Sequence, residues 1–154
     1  MKTYNQFILE KEDGTYVAVR FSDESNKKLK VYAKSLGLEP IKDFHATIVY
    51  STATLDVSKG ENPTTDTLTP KKLMYLGEVG NKYRAIALEV NSNNLQSIFD
   101  FYVKRGYKSK HPSFIQHISL AYAPDEGINI DDMELPDFDI EVTTIKAETL
   151  NGDI

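Results

Sequence analysis

The spacing of apolar positions changes several times along the chain, and each change marks a predicted element. Strand-like runs over residues 5–11 and 15–21 flank Glu12-Asp13-Gly14, a β-hairpin signal. A helix is predicted from the capping pair Ser22-Asp23, ending near Gly37. Its apolar residues at helical spacing are Leu29, Tyr32, Ala33 and Leu36. Residues 44–50 predict a third strand.

The same series of elements recurs further along the chain. Residues 71–90 predict a second hairpin that turns at Gly80-Asn81. A helix is predicted from about Asn93 to Gly106, and a third strand over residues 115–122. The helix carries apolar residues at i, i+3, i+4, i+7 and i+8, which are Leu95, Ile98, Phe99, Tyr102 and Val103. Each half is therefore predicted as strand–strand–helix–strand.

The segment between the halves has a different composition. Residues 51–70 are polar, rich in Ser and Thr, and contain Pro63 and Pro70, which predicts a connecting loop or a lid. A final strand is predicted over about 138–150.

These elements predict a fold class. We expect one α+β domain over residues 1–154 with pseudo-twofold halves at about 4–50 and 71–123. Their strands should form a central antiparallel-rich sheet with a cleft on one face, and the helices should pack outside it.

The last strands of the two halves match position by position, since His45-Ala46-Thr47-Ile48-Val49-Tyr50 corresponds to His117-Ile118-Ser119-Leu120-Ala121-Tyr122. The run from Tyr16 to Val19 also matches the run from Tyr83 to Ile86. An internal duplication explains both matches.

Each matched strand carries a histidine followed two residues later by a hydroxyl. Because side chains alternate across a strand, His45 and Thr47 share one face, and so do His117 and Ser119. The same alternation predicts that Ile48 and Tyr50, and likewise Leu120 and Tyr122, point to the opposite face and pack beneath the helices. About a twofold axis, two histidines and two hydroxyls would converge on one cleft. Two ordinary half-exposed strand histidines are the alternative.

A third histidine has the same spacing in a different setting. His111 is followed by Pro112 and Ser113, and a proline lacks the donor that a central strand needs. We therefore predict that His111 lies in a loop.

Composition narrows the chemistry. The chain has 154 residues, 40% of them hydrophobic and 27% charged, as in an ordinary globular domain. It contains no cysteine, which excludes disulfides, a thiolate nucleophile and cysteine-based metal sites. No segment approaches the roughly 20 apolar residues of a membrane span, so we expect no membrane partner and a cytoplasmic location.

Charge indicates the kind of partner. The net charge is −5, which disfavours long nucleic acid as a partner. Residues 101–123 contain four basic and no acidic residues, whereas residues 124–141 contain eight acidic and no basic ones. A local basic patch within an acidic protein suits a small anionic ligand. A solvated charged face is the alternative.

The paired His-x-Thr and His-x-Ser strands, 72 residues apart in a duplicated α+β frame, resemble the two-histidine (2H) phosphoesterases. Within that superfamily the chain is most similar to the phage anti-CBASS phosphodiesterases, which destroy cyclic oligonucleotide signals of bacterial immunity. The cues are the short acidic chain, the opening Gly14-Thr15-Tyr16-Val17, His45-Ala46-Thr47, and Glu148 in the last strand. Ser119 departs from the threonine frequent at its position but keeps the hydroxyl.

The residues suggest a metal-independent reaction without cofactors. Two imidazoles can act as general base and general acid, while the substrate's ribose 2′-hydroxyl attacks the adjacent 3′-phosphodiester. Thr47 and Ser119 would donate hydrogen bonds to the non-bridging oxygens. The sequence leaves open which of His45 and His117 is the base.

Four further residues are candidates for substrate binding. Tyr16 shares a strand face with Ala18 and Arg20 and could stack on a base, or be a surface tyrosine. The family resemblance favours Glu148 as an acceptor from a base edge or a ribose hydroxyl. Lys108 and Lys110 precede the second histidine strand and could neutralise a phosphate, or be solvated lysines.

The resemblance implies a monomeric enzyme acting on a cyclic di- or trinucleotide such as 3′,3′-cyclic GMP–AMP, in the host cytoplasm if phage-encoded. Two alternatives stay open. An RNA 2′,3′-cyclic phosphodiesterase would use the same chemistry on RNA ends. A non-catalytic sponge for cyclic nucleotides would need no opposed imidazoles.

Overall fold

The computed structural model describes residues 15–51, 60–106, 114–122 and 129–149, with the backbone alone for Ser51, Glu148 and Thr149. The elements in chain order are β1 (Thr15–Phe21), α1 (Asp23–Ser35), β2 (Ala46–Ser51), β3 (Gly60–Leu76), β4 (Ala85–Asn91), α2 (Asn93–Lys104), β5 (His117–Tyr122), a short 3₁₀ helix (Ile130–Asp132) and β6 (Ile140–Thr149). The strand predicted over residues 5–11 and its Asp-Gly turn lie outside the described residues.

The six strands form one sheet in the order β2-β1-β6-β3-β4-β5, and all its pairs are antiparallel. The last strand of the chain lies at the centre, where β6 pairs with β1 on one side and with the first part of β3 on the other. The second part of β3 pairs with β4. The predicted α+β class with an antiparallel sheet is confirmed.

The long strand β3 corrects one prediction. Residues 60–70 were expected in a loop or lid, but they form the first part of β3. The two prolines in this segment, Pro63 and Pro70, favoured the prediction of a loop. Both lie where the ladder shifts register, and a bulge tolerates a residue without an N–H donor. Residues 52–59 lie outside the described part of the chain.

Each helix has a serine as its N-cap, Ser22 as predicted for α1 and Ser92 for α2. The Ser22 hydroxyl accepts from Ser25 N, and the Ser92 hydroxyl accepts from the N–H groups of Asn94 and Leu95. The predicted apolar stripes face the sheet, with Leu29, Ala33, Leu95 and Tyr102 buried. Val103 is 46% exposed, contrary to the expectation that it joins the stripe, because α2 ends one residue later.

Each histidine strand contains one extra residue relative to its neighbour. On β2, Ile48 is passed over as the partners run from Val17↔Val49 to Ala18↔Thr47. On β5, Leu120 is passed over between Ile86↔Ala121 and Ala87↔Ser119. The two β-bulges occupy matching positions, 72 residues apart in the chain.

The matching bulges also correct the alignment of the halves. Because Val17 and Ile86 occupy equivalent places beside the bulges, Tyr16 corresponds to Ala85. The match of Tyr16 with Tyr83 drawn from the sequence is therefore wrong by two residues.

The two ends of the sheet approach each other. Ile41, just before β2, donates its N–H to the carbonyl of Leu120 on β5 (2.7 Å). Helix α1 lies next to β5, and α2 lies next to β2, so each helix reaches the end strand of the other half. This closure brings the two histidine strands together. No helix in the described ranges is long and apolar enough to cross a membrane.

Candidate active site

His45 directly precedes β2, and His117 is the first residue of β5. The two imidazoles are held in the same way. His45 Nδ1 lies 3.3 Å from the carbonyl oxygen of Asp43, and His117 Nδ1 lies 2.9 Å from that of Ile115. Because a carbonyl can only accept, Nδ1 carries the hydrogen in both rings. Each Nε2 is thereby left to accept or donate a proton.

The electrostatic environment of His45 differs from that of a free histidine. Burial lowers its pKa, and the positive charges of Arg20 and His117 lower it further. The hydrogen bond to Asp43 and the carboxylate of Asp43 act in the opposite direction, but the net pKa lies below the ordinary 6.5. Strands β2 and β5, which carry or follow the two histidines, contact each other.

Thr47 and Ser119 lie two residues beyond their histidines, before the bulges, so both hydroxyls share the histidine face of the sheet. Their cross-strand partners are alanines, Ala18 opposite Thr47 and Ala87 opposite Ser119. Both alanines are buried, so the two hydroxyls stand in equivalent surroundings.

Tyr16 lies beside this group. Its ring packs edge-on against His45 with 6.5 Å between centroids, and its hydroxyl is 3.2 Å from Thr47 Oγ1. Because Tyr16 corresponds to Ala85, the other half offers no aromatic ring at that position.

Tyr50 and Tyr122 do not pack beneath the helices, so the prediction of their orientation is wrong. The bulges at Ile48 and Leu120 shift the alternation by one residue. Tyr50 is consequently 52% exposed and lies edge-on to Tyr16, at 6.1 Å between centroids. Tyr122 is 57% exposed.

Opposite charges occupy equivalent positions beside the two histidines. The strand register that matches Val19 with Leu88 also matches Arg20 with Glu89. Arg20 acts electrostatically on His45. Glu89 lies directly across from His117, and its carboxylate contacts Lys71 Nζ at 2.9 Å and Lys72 Nζ at 3.8 Å. Neither Arg20 nor Glu89 stands out in the sequence pattern, because only the correct register pairs them.

The other predicted site residues are described in part. The register places Glu148 opposite Tyr16 on β6. Lys108, Lys110 and His111 lie outside the described residues. No group of three or more His, Cys, Asp or Glu side chains that could hold a metal ion occurs in the described ranges.

Solved structures share this fold. E. coli LigT, in a structure complexed with 3′-AMP, has 13% identity and a TM-score of 0.57, over 88% of this chain and 86% of that chain. Kluyveromyces marxianus Usb1 has 9% identity and a TM-score of 0.51, over 71% of this chain and 70% of that chain. Both are members of the 2H phosphoesterase superfamily.

The chain thus has the fold of the 2H phosphoesterases, with one histidine strand in each half. A family model described as anti-CBASS protein Acb1 matches residues 13–154. The chain belongs to the Acb1 family of anti-CBASS proteins, and this membership supports phosphodiesterase activity on cyclic nucleotides.

Proposed function

We propose that this protein cleaves the 3′–5′ bonds of cyclic di- or trinucleotide immune signals, such as 3′,3′-cyclic GMP–AMP, and so evades CBASS immunity in the host cytoplasm. One observation carries the proposal. Two imidazoles on the adjoining strand ends of β2 and β5 each donate Nδ1–H to a main-chain carbonyl and keep Nε2 for proton transfer. Family membership supports the substrate class.

The lowered pKa of His45 favours this residue as general base, because it keeps Nε2 unprotonated at neutral pH. Nε2 takes the proton of the ribose 2′-hydroxyl, and the 2′-oxygen forms a bond to phosphorus. The bond from phosphorus to the 5′-oxygen breaks, and His117 Nε2–H protonates that oxygen. The product carries a 2′,3′-cyclic phosphate and a free 5′-hydroxyl, and water could open the cyclic phosphate in a second step.

The remaining side chains act on the bound substrate. Thr47 and Ser119 donate to the non-bridging oxygens as negative charge develops, and Tyr16 stacks on a base. Glu148 accepts from a base edge or ribose hydroxyl. Lys108 and Lys110 neutralise phosphate.

The decisive experiment concerns the nucleophile. The purified protein is given 3′,3′-cyclic GMP–AMP and its bis-2′-deoxy analogue, each in EDTA. We expect cleavage of the ribonucleotide and binding without cleavage of the analogue. Comparable cleavage of both would mean that water or a protein group attacks directly, and complete loss of activity in EDTA would place the protein in another mechanistic class.

The alternatives give different outcomes when RNA ends with a 2′,3′-cyclic phosphate are assayed beside the cyclic dinucleotide. Tight binding without turnover of the ribonucleotide would identify a sponge. Turnover confined to RNA ends with a 2′,3′-cyclic phosphate would identify the RNA phosphodiesterase. His45→Ala and His117→Ala should each lower kcat by about 10²–10⁴ while ligand binding persists. A near-normal rate in either variant would refute the acid–base assignment.

A further inference from the structure

A cavity of about 430 Å³ opens beside His45. Its wall includes Lys42, Asp43 and Phe44, which lead directly into His45, and its floor includes Thr143 and Thr144. Volumes of this order are typical of small-molecule sites. His45 itself does not line the cavity, but Phe44, its neighbour in the chain, and Arg20, which acts electrostatically on it, both do.

Four basic side chains line this cavity, namely Arg20, Lys27, Lys30 and Lys42. None of the four forms an ion pair with a carboxylate in the described part of the chain. Other lysines do pair, Lys28 with Glu24 and both Lys71 and Lys72 with Glu89. The cavity therefore presents positively charged side chains that can bind an anionic ligand.

Asp23, Asp43 and Glu61 also line the cavity, so its occupant must offer more than negative charge. Carboxylates accept from the N–H groups of a base edge and from ribose hydroxyls. Guanidinium and ammonium groups bind phosphate oxygens. A nucleotide presents both kinds of partner.

The two histidine sides are not equivalent for such a ligand. Beside His45, Arg20 is partly exposed and has no carboxylate partner in the described ranges. At the equivalent place beside His117 lies Glu89, a carboxylate that repels phosphate and already engages Lys71 and Lys72. A cyclic dinucleotide has two phosphodiesters, so the one that is not being cleaved should lie on the His45 side.

We propose that this cavity is the subsite for the second, non-scissile phosphodiester of a cyclic dinucleotide and its attached nucleoside, with Arg20 and Lys42 as phosphate contacts. The inference rests on the proposed function, because it assumes that the first phosphodiester lies between His45 and His117. It makes the second phosphodiester, and not the scissile bond alone, a determinant of substrate choice.

The test compares two substrates with the same scissile linkage. The cyclic substrate 3′,3′-cyclic GMP–AMP has two phosphodiesters, whereas linear ApG has one. Arg20→Gln and Lys42→Gln remove cavity cations, and Arg20→Lys keeps the charge. Lys28→Gln is the matched control on α1, because Lys28 pairs with Glu24 and does not line this cavity. Assays at pH 8 keep His45 neutral with or without Arg20.

We expect Arg20→Gln and Lys42→Gln each to raise KM for the cyclic substrate about tenfold, from loss of a charge-assisted hydrogen bond. Arg20→Lys should recover much of this loss, and kcat/KM for ApG should change less than twofold in Lys42→Gln and Lys28→Gln. An equal loss on both substrates would mean that the cations act on the scissile phosphate and would overturn the proposal. No change on either substrate would overturn it as well.

Calorimetry distinguishes failure of the proposed function from failure of the proposed subsite. If the wild-type protein turns over neither substrate, the proposed reaction fails. Weaker binding of 3′,3′-cyclic GMP–AMP by Arg20→Gln and Lys42→Gln, but not by Lys28→Gln, would then still support the subsite. Unaltered binding in those two variants would overturn it.

Discussion

At the scale of single residues, His45 and His117 each contact the main-chain carbonyl two residues earlier and lie at corresponding ends of β2 and β5. Their charged neighbours differ, since Arg20 lies beside His45 and Glu89 beside His117. Burial, Arg20 and His117 lower the pKa of His45, so this proposed general base stays neutral to a lower pH than a free imidazole does. We expect kcat/KM to rise with pH through a midpoint below 6.5 and to be near its plateau at pH 7. A pH profile with the cyclic substrate measures this limb.

Arg20→Gln is the matching perturbation. Removing one of the causes that lower the pKa of His45 should move the acidic limb to higher pH, whereas Arg20→Lys should leave it in place. A wild-type midpoint above 6.5, unmoved in Arg20→Gln, would contradict the assignment of His45 as base.

Tyr16 offers a second test at this scale, because its ring and its hydroxyl make separate contacts. Tyr16→Ala removes the proposed stacking surface, worth about 1–3 kcal/mol, and should raise KM roughly 5–150-fold. Tyr16→Phe loses only the contact with Thr47 Oγ1 and should affect KM less. Steady-state kinetics of both variants, with circular dichroism as the folding control, decide the point. Equal KM values in Tyr16→Ala and wild type would exclude stacking.

Single residues also show the limits of sequence pattern. The His-x-hydroxyl spacing selected His45, Thr47, His117 and Ser119 because alternation over three residues is purely local. The equivalence of Arg20 and Glu89, which carry opposite charges, could not be recognised, since it depends on the register between strands. The false match of Tyr16 with Tyr83 hid that register.

At the scale of elements, helical spacing predicted both helices, with Ser22 as the cap of the first, and period-two runs predicted the histidine strands. The bulges were not predicted, although Ile48-Val49 and Leu120-Ala121 are adjacent apolar pairs that interrupt the alternation in both strands. The beginning of β3 was not predicted, because it is a strand through its pairing with β6, which lies about eighty residues away in the chain. Local composition cannot report such a pairing.

The two helix caps differ in their connections. Ser22 Oγ accepts from Ser25 N, whereas the buried Ser92 hydroxyl accepts from two N–H groups of α2 and donates to Asp66 on β3. Ser22→Ala should therefore cost about 1 kcal/mol of unfolding free energy. Ser92→Ala should cost about 2–3 kcal/mol, because it also removes a bond to a carboxylate. Urea unfolding measures both, with Ser92→Thr as the hydroxyl-keeping control, and equal costs would contradict this account.

At the scale of the whole molecule, the order of strands explains how distant halves build one site. The histidine strands β2 and β5 are the two ends of the sheet, and β6 joins the halves at its centre. A sequence duplication predicts two similar halves, but it does not state how their ends meet. That closure is set by contacts such as the one between Ile41 and the bulge residue Leu120.

This contact gives a test of the closure. The carbonyl of Leu120 accepts from Ile41 N at 2.7 Å, so the bulge of one half is bonded to the segment that leads into the other half's histidine strand. Ile41→Pro deletes the donor, and Ile41→Ala keeps it while removing most of the side chain. A lost hydrogen bond costs only about 0.5–1.5 kcal/mol of stability, whereas a displacement of about 1 Å between catalytic groups can cost 10²-fold in rate. We therefore expect Ile41→Pro to lower kcat roughly 10–100-fold at a temperature where circular dichroism shows it folded, and Ile41→Ala to retain more than half of the wild-type kcat. Equal kcat values for the two variants would mean that the alignment of His45 with His117 does not depend on this bond.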